Sequence, residues 1–196
     1  MSDPILVVGV VADTHIPDRK PALNSAVLPA LQSAGVGLIL HAGDICSRNV
    51  LEDLEQVAPV TAVQGNRDFV ALSGLPKVQV LTLGGARVVL AHGHGGWINY
   101  LVDKFRYLVS GYQVGRYQQG MTRLDPGGSI YVFGHTHKAE NFWYAGRLFF
   151  NPGSASFGSF PGKPPSIGIL RFWGEGRVEG EIVSLDGMRS GNGGKS

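Results

Sequence analysis

The sequence predicts an α/β protein: two mixed sheets packed face to face, with helices on their outer sides, a four-layer α/β/β/α sandwich. Three observations carry that expectation. The first third of the chain alternates strand-like apolar runs with helix-like segments, a rhythm that means parallel pairing with crossovers. From Val78 onward the pattern changes to hairpins. And 196 residues at 43% hydrophobic content are enough for one domain with a real core, with more strands than a single sheet would hold comfortably.

Taken in order, Ile5 to Ala12 reads as a strand, Pro21 to Ala34 as a helix and Val36 to His41 as the second strand. Ser47 to Val57 is the second helix and Val60 to Val63 the third strand. Pro21 suits a first helical position, Gly35 a helix stop, and Ser47 an N-cap whose hydroxyl accepts from a frayed N–H. Val78 to Leu83 and Arg87 to Ala91 flank Gly84-Gly85, a pair able to take the positive φ angles of a tight hairpin. Further strands are expected at Ser129 to Phe133, Asn141 to Tyr144, Arg147 to Phe150, Ile167 to Trp173 and Arg177 to Ser184, the last two joined by Gly174-Glu175-Gly176. Residues 1–185 read as a single domain, and the Gly-rich, polar stretch 186–196 as a flexible tail.

Composition narrows the function classes. The formal charge is only +2 and no Lys/Arg tract is present, so the footprint of a dedicated nucleic-acid binder is missing, although a nucleotide substrate is compatible with it. Cys46 is the only cysteine, which rules out an intramolecular disulfide and fits a reducing compartment. The Ile5 to Ala12 run lacks a basic leader and runs straight into Asp13 and His15, so it reads as a strand rather than a signal peptide. No run approaches the roughly 20 apolar residues a membrane span needs. A soluble, cytoplasmic protein without a membrane partner is expected.

Five short clusters carry the chemistry: Asp13-Thr14-His15, Gly43-Asp44, Gly65-Asn66-Arg67-Asp68, His92-Gly93-His94 and Gly134-His135-Thr136-His137. Each follows an apolar run, so a sheet would deliver all five to one edge. Asp13 and His15, if still extended, point to one side and offer a carboxylate and an imidazole to an ion; alone, they read as a turn cap and a surface histidine. Gly43-Asp44 and Gly65-Asn66 are ordinary turn chemistry individually, but a carboxylate can bridge two cations through its two oxygens and an amide oxygen is a competent hard ligand. His92 and His94 flank a glycine after a hydrophobic strand. His135 and His137 at the end of Ile130 to Phe133 form the sharpest pair. Convergence of all five is the argument.

These clusters, with His41-Ala42-Gly43-Asp44 and Asn151-Pro152-Gly153-Ser154, resemble the calcineurin-like metallophosphoesterase superfamily, in particular its small bacterial and archaeal phosphodiesterase branch, which includes Vps29. The resemblance runs from about Ile5 to Leu185. It implies the metallo-dependent phosphatase fold and a site for two divalent ions: Asp13, His15 and His137 on one, Asn66, His92 and His135 on the other, Asp44 bridging. Such a pair lowers the pKa of a bridging water, which then attacks phosphorus in line and hydrolyses a phosphate ester. Mixed nitrogen and oxygen ligands suit Mn, Ni, Fe, Zn or Mg, with manganese favoured.

One departure bears on the substrate. Many members of the superfamily carry a histidine after the asparagine of the third motif, where it can protonate the leaving oxygen; this chain has Arg67. Arginine stays charged and donates no proton, but it holds phosphate bidentately. Diesters with good leaving groups are therefore expected over alkyl monoesters, with His94 as the substitute proton donor. Asp68 is expected to orient its neighbours, Arg48 to steady the Asp44 loop, and His41 to be a satisfied core histidine. Residues 97–123 interleave aromatic and basic side chains, which suits either nucleotide stacking or, more simply, amphipathic helices buried against the sheet or a second subunit of a homo-oligomer. Phe157 to Pro165 forms either a rim over the metals or a plain surface connection. The competing function is a Vps29-like interaction scaffold without catalysis, and a weaker third is a nuclease. The filled ligand positions favour the enzyme.

Overall fold

The computed structural model describes residues 2–93, 114–158 and 162–186. His94, most of the aromatic and basic segment 97–123, part of the 157–165 loop and residues 187–196 of the tail lie outside the described residues.

Strands β1 (Leu6–Val11), β2 (Leu38–His41) and β3 (Val60–Ala62) pair in parallel, as the alternating first third predicts. The C-terminal hairpin of β9 (Ser166–Phe172) and β10 (Val178–Ser184) adds to the free side of β1 in antiparallel register, giving the order β10-β9-β1-β2-β3. The second sheet contains β4 (Val78–Leu83), β5 (Ala86–Ala91), β6 (Ile130–Val132), β7 (Ala139–Tyr144) and β8 (Arg147–Pro152) in the order β4-β5-β6-β8-β7. This half is not purely hairpins, as the sequence pattern suggests: β6 is parallel to both its neighbours, β5 and β8. Helix α3 (Val114–Leu124) precedes β6 in the chain.

Strict two-residue alternation sorts the side chains into layers. Val8 and Val10 of β1 point between the sheets and meet Val88, Leu90, Ile130, Val132, Leu148 and Phe150 from the other sheet. Val11 and Ile39 point outward, against Leu31 of α1 (Val27–Ser33) and Leu54 of α2 (Arg48–Glu55). On the far side, Val89, Tyr131, Phe133 and Phe149 pack on Met121 of α3. The result is the expected four layers, α1 and α2 outside one sheet and α3 outside the other. Among the described residues, no helix is long and apolar enough to cross a membrane.

The turns follow from residue chemistry. The hydroxyl of Ser47 accepts from the Asn49 N–H at the start of α2, and Gly84 and Gly85, at φ 54° and 82°, close the β4–β5 hairpin. Gly35, at φ 66°, ends α1, donating to Gln32 while Val36 donates to Leu31, the paired bonds of a Schellman stop. Pro21 is not a first helical residue. Helix α1 begins six residues later because Asn24 builds its own turn, its side chain accepting from Ala26 and its carbonyl from Val27. Pro29 then falls in the first helical turn, where a missing N–H leaves no bond unmade.

Phe150 is fully buried and reaches across the interlayer to β9 and β10, where a Cβ on Gly180 would lie 2.8 Å from its ring. Glycine there is the space the aromatic ring occupies. Phe150→Ala should therefore cost about 3–5 kcal/mol of unfolding free energy, read as a lowered midpoint in urea denaturation at unchanged slope.

Candidate metal centre

The clusters meet where the C-terminal ends of β1, β2 and β3 face those of β5 and β6. Two sheets contribute, not one edge of a single sheet, and the loops turn sharply to bring the groups together. Asp13 and His15 are not extended: both adopt left-handed backbone, at φ 54° and 52°, as do Asp44 (56°), His135 (69°) and His137 (55°). Non-glycine residues reach that region only when their surroundings insist.

Cross-loop hydrogen bonds supply that insistence. Asp13 N–H donates to the Gly43 carbonyl and His15 N–H to the Asp44 carbonyl, both at 3.0 Å. From the Asn151-Pro152-Gly153-Ser154 turn, Ser154 Oγ donates to the Asp13 carbonyl at 2.8 Å, and Ser156 Oγ to the Thr14 carbonyl at 2.6 Å. Asp68, fully buried, gathers three backbone donors: Ile45 and Cys46 on Oδ1, Gly65 on Oδ2. It orients the β2 and β3 loops together, the part expected of it. Gly43 sits where these loops touch; at φ 88°, a Cβ would stand 2.8 Å from both Gly65 N and His92 Nδ1.

The seven candidate ligands form a continuous chain of contacts. His15 Nε2 lies 3.1 Å from His137 Nε2, and Asp13 Oδ1 lies 3.3 Å from that His137 nitrogen. Asn66 Oδ1 is 3.0 Å from His92 Nε2 and 3.1 Å from His135 Nδ1. Asp44 stands between the two groups, Oδ2 3.7 Å from His15 Nε2 and Oδ1 3.4 Å from His92 Nε2. The Asp44 carboxylate also accepts from the Arg67 N–H at 2.9 Å.

This donor set fits cations. Asp13 Oδ1 is buried without a hydrogen-bond partner, and buried polar atoms are normally satisfied. Here an unsatisfied carboxylate oxygen faces two imidazole nitrogens that face each other. His92 Nδ1 lies 2.7 Å from the Ala42 carbonyl; a carbonyl only accepts, so Nδ1 carries the proton and directs Nε2 inward. Burial opposes charging His92, yet Asp44 and Asp13 outweigh it and raise its pKa to about 9, a measure of how strongly the centre favours positive charge. Burial alone would raise Asp44, but His92 and His15 hold it well below the usual carboxylate range. Burial pushes His15 down to about 4 and His41 to about 3, which keeps both imidazoles neutral near pH 7.

The remaining expectations divide. His41 is a satisfied core histidine, its Nδ1 accepting from Gly43 N–H and its Nε2 3.3 Å from Thr14 Oγ1. Arg48 is exposed at the start of α2 and, among the described residues, bonds to nothing in the Asp44 loop; a first-turn side chain there points to solvent. Arg67 stands at the mouth of the centre with its guanidinium paired to Asp18, a partner that sequence reasoning missed and that no local signal marks, since 49 residues separate the two. Phe157 does lie against the centre, its ring 6.0 Å from that of His15 and 6.2 Å from that of His137.

Comparison with known proteins identifies the family. The calcineurin-like phosphoesterase superfamily domain matches residues 6–173. A probable metallophosphoesterase of Methanothermobacter thermautotrophicus is 33% identical over 91% of this chain and 92% of its own. Among solved structures, Vacuolar Protein Sorting 29 from Cryptosporidium parvum superposes with a TM-score of 0.69 at 25% identity, covering 92% of this chain and 98% of that one. Wild-type Vps29 from Entamoeba histolytica, complexed with zinc, does so with a TM-score of 0.63 at 26% identity, over 92% and 100% of the two chains. The chain belongs to the calcineurin-like phosphoesterase superfamily.

Proposed function

We propose that this protein is a dinuclear-metal-dependent phosphodiesterase. In this reading Asp13, His15 and His137 hold one divalent ion, Asn66, His92 and His135 hold the other, and Asp44 is shared. The observation that carries it is the position of Asp44, a buried carboxylate with one oxygen toward each group of imidazoles. Divalent ions bound there would activate water near neutral pH and draw charge from the phosphate oxygens. Manganese is the metal we favour within the set that mixed nitrogen and hard oxygen donors admit, which also holds Ni, Fe, Zn and Mg.

The protein's own groups supply orientation and charge. The Ala42 carbonyl fixes the ring of His92, and Asp68 fixes the loops that carry Asp44 and Asn66. Arg67 offers a permanently charged fork to a phosphate oxygen, while Asp18 sets its direction. Because Arg67 donates no proton, esters whose leaving group departs without one are favoured, which means activated diesters over alkyl monoesters. His94 remains the candidate proton donor. A small phosphate ester is the substrate class.

The Vps29 likeness supports a second reading, a non-catalytic interaction scaffold on the same fold. Turnover separates the two. Reconstituted with manganese, the chain should hydrolyse bis(4-nitrophenyl) phosphate faster than 4-nitrophenyl phosphate, with Asp44→Asn and His135→Ala falling to the level of the metal-free chain. Equal rates in all three proteins, or none, would favour the scaffold; a monoester preference would overturn the role given to Arg67. Asp68→Ala strands three backbone donors beside the centre, and should weaken manganese binding by about 10–100-fold in equilibrium dialysis.

A further inference from the structure

The loop that leaves β1 does more than present His15. The His15 carbonyl accepts from the N–H groups of both Arg19 and Lys20, at 2.8 and 3.3 Å, closing the turn so that two exposed cations stand one turn beyond a candidate ligand. Lys20 is seated: its Nζ lies 5.2 Å from the centroid of the Phe157 ring, within cation–π range. Phe157 in turn is tied to the frame of the centre, since its N–H donates to Ser154 Oγ, the same hydroxyl that donates to the Asp13 carbonyl. The ring thus stands against the imidazoles of His15 and His137 and under the ammonium of Lys20. Asp18 is the one acid on this lip, and its carboxylate is taken by Arg67, so among the described residues Arg19 and Lys20 have no ion-pair partner.

We propose that Lys20, seated on Phe157, forms a second-anion subsite beside the centre, with Arg19 adding to its field. The preferred substrates then carry a further phosphate next to the one that is cleaved. This rests on the phosphoesterase reading of the same site and names its specificity. A mobile surface lysine loses side-chain entropy when it grips an anion; one already held over a ring loses less. Discrimination between singly and doubly phosphorylated ligands is what such a cation supplies.

The test is a binding comparison on the full, manganese-loaded chain, with thymidine 5′-monophosphate and thymidine 3′,5′-bisphosphate titrated by calorimetry. The bisphosphate should bind about tenfold tighter, the worth of one charge-assisted hydrogen bond. Lys20→Gln should abolish the difference and Lys20→Arg keep it, and 0.5 M salt should shrink it, as an exposed charge contact requires. Equal affinity for both ligands, no binding of either, or a preference that survives Lys20→Gln would overturn the subsite. Hydrolysis of the 4-nitrophenyl esters of the same two nucleotides separates this from the parent reading. Absence of turnover would sink the phosphodiesterase while the affinities still decide the subsite. With turnover, Lys20→Gln should raise KM for the ester that carries the second phosphate and leave kcat unchanged.

Discussion

Left-handed backbone at the ends of parallel strands is the constraint on which the centre depends. Five of its seven candidate ligands, Asp13, His15, Asp44, His135 and His137, occupy that region without being glycine. Each such residue costs about 1–3 kcal/mol, so it persists only where its surroundings over-determine it. Here the surroundings are other loops: β1 and β2 exchange backbone bonds, Asp68 gathers three amides, and Ser154 and Ser156 reach back to the carbonyls of Asp13 and Thr14.

That geometry explains the electrostatics. Two carboxylates and several imidazoles are packed where water is largely excluded, above the apolar interlayer of Val10, Leu40, Leu90 and Val132. Unpaired charge in such a place is expensive, and the site meets the cost by making every group a donor or acceptor for its neighbour. Among the described residues, Asp13 Oδ1 and His15 Nδ1 are the exceptions. An orphan oxygen facing two nitrogens is a demand for positive charge in their midst, and the elevated pKa of His92 expresses the same demand.

Much of this was legible in the residue string because strands that are buried on both faces announce themselves by continuous apolar runs, and sharp turns by glycine. β1, β2, β6 and β8 fall on such runs, β4 and β10 show instead the alternation of half-buried strands, and the Ser47 cap and the Gly84-Gly85 turn follow from side-chain chemistry alone. What was not legible depends on partners distant in sequence. The start of α1 shifted because Asn24 outcompeted Pro21 for the turn. The parallel placement of β6 between β5 and β8 depends on which strands pair, which periodicity does not encode. Arg67 could be read as a phosphate ligand, but its tether to Asp18 could not. The spacing of Asp13 and His15 suggested an extended pair, where the backbone in fact coils left-handed.

The centre draws on both layers of the sandwich: Asp13, His15, Asp44 and Asn66 come from one sheet, His92, His135 and His137 from the other. Cys46, the single cysteine, leaves the molecule without any disulfide to join them. Ions gripped from both sides would act as rivets through the two layers, so that melting temperature should climb with metal concentration and chelation should loosen the sandwich first at this end.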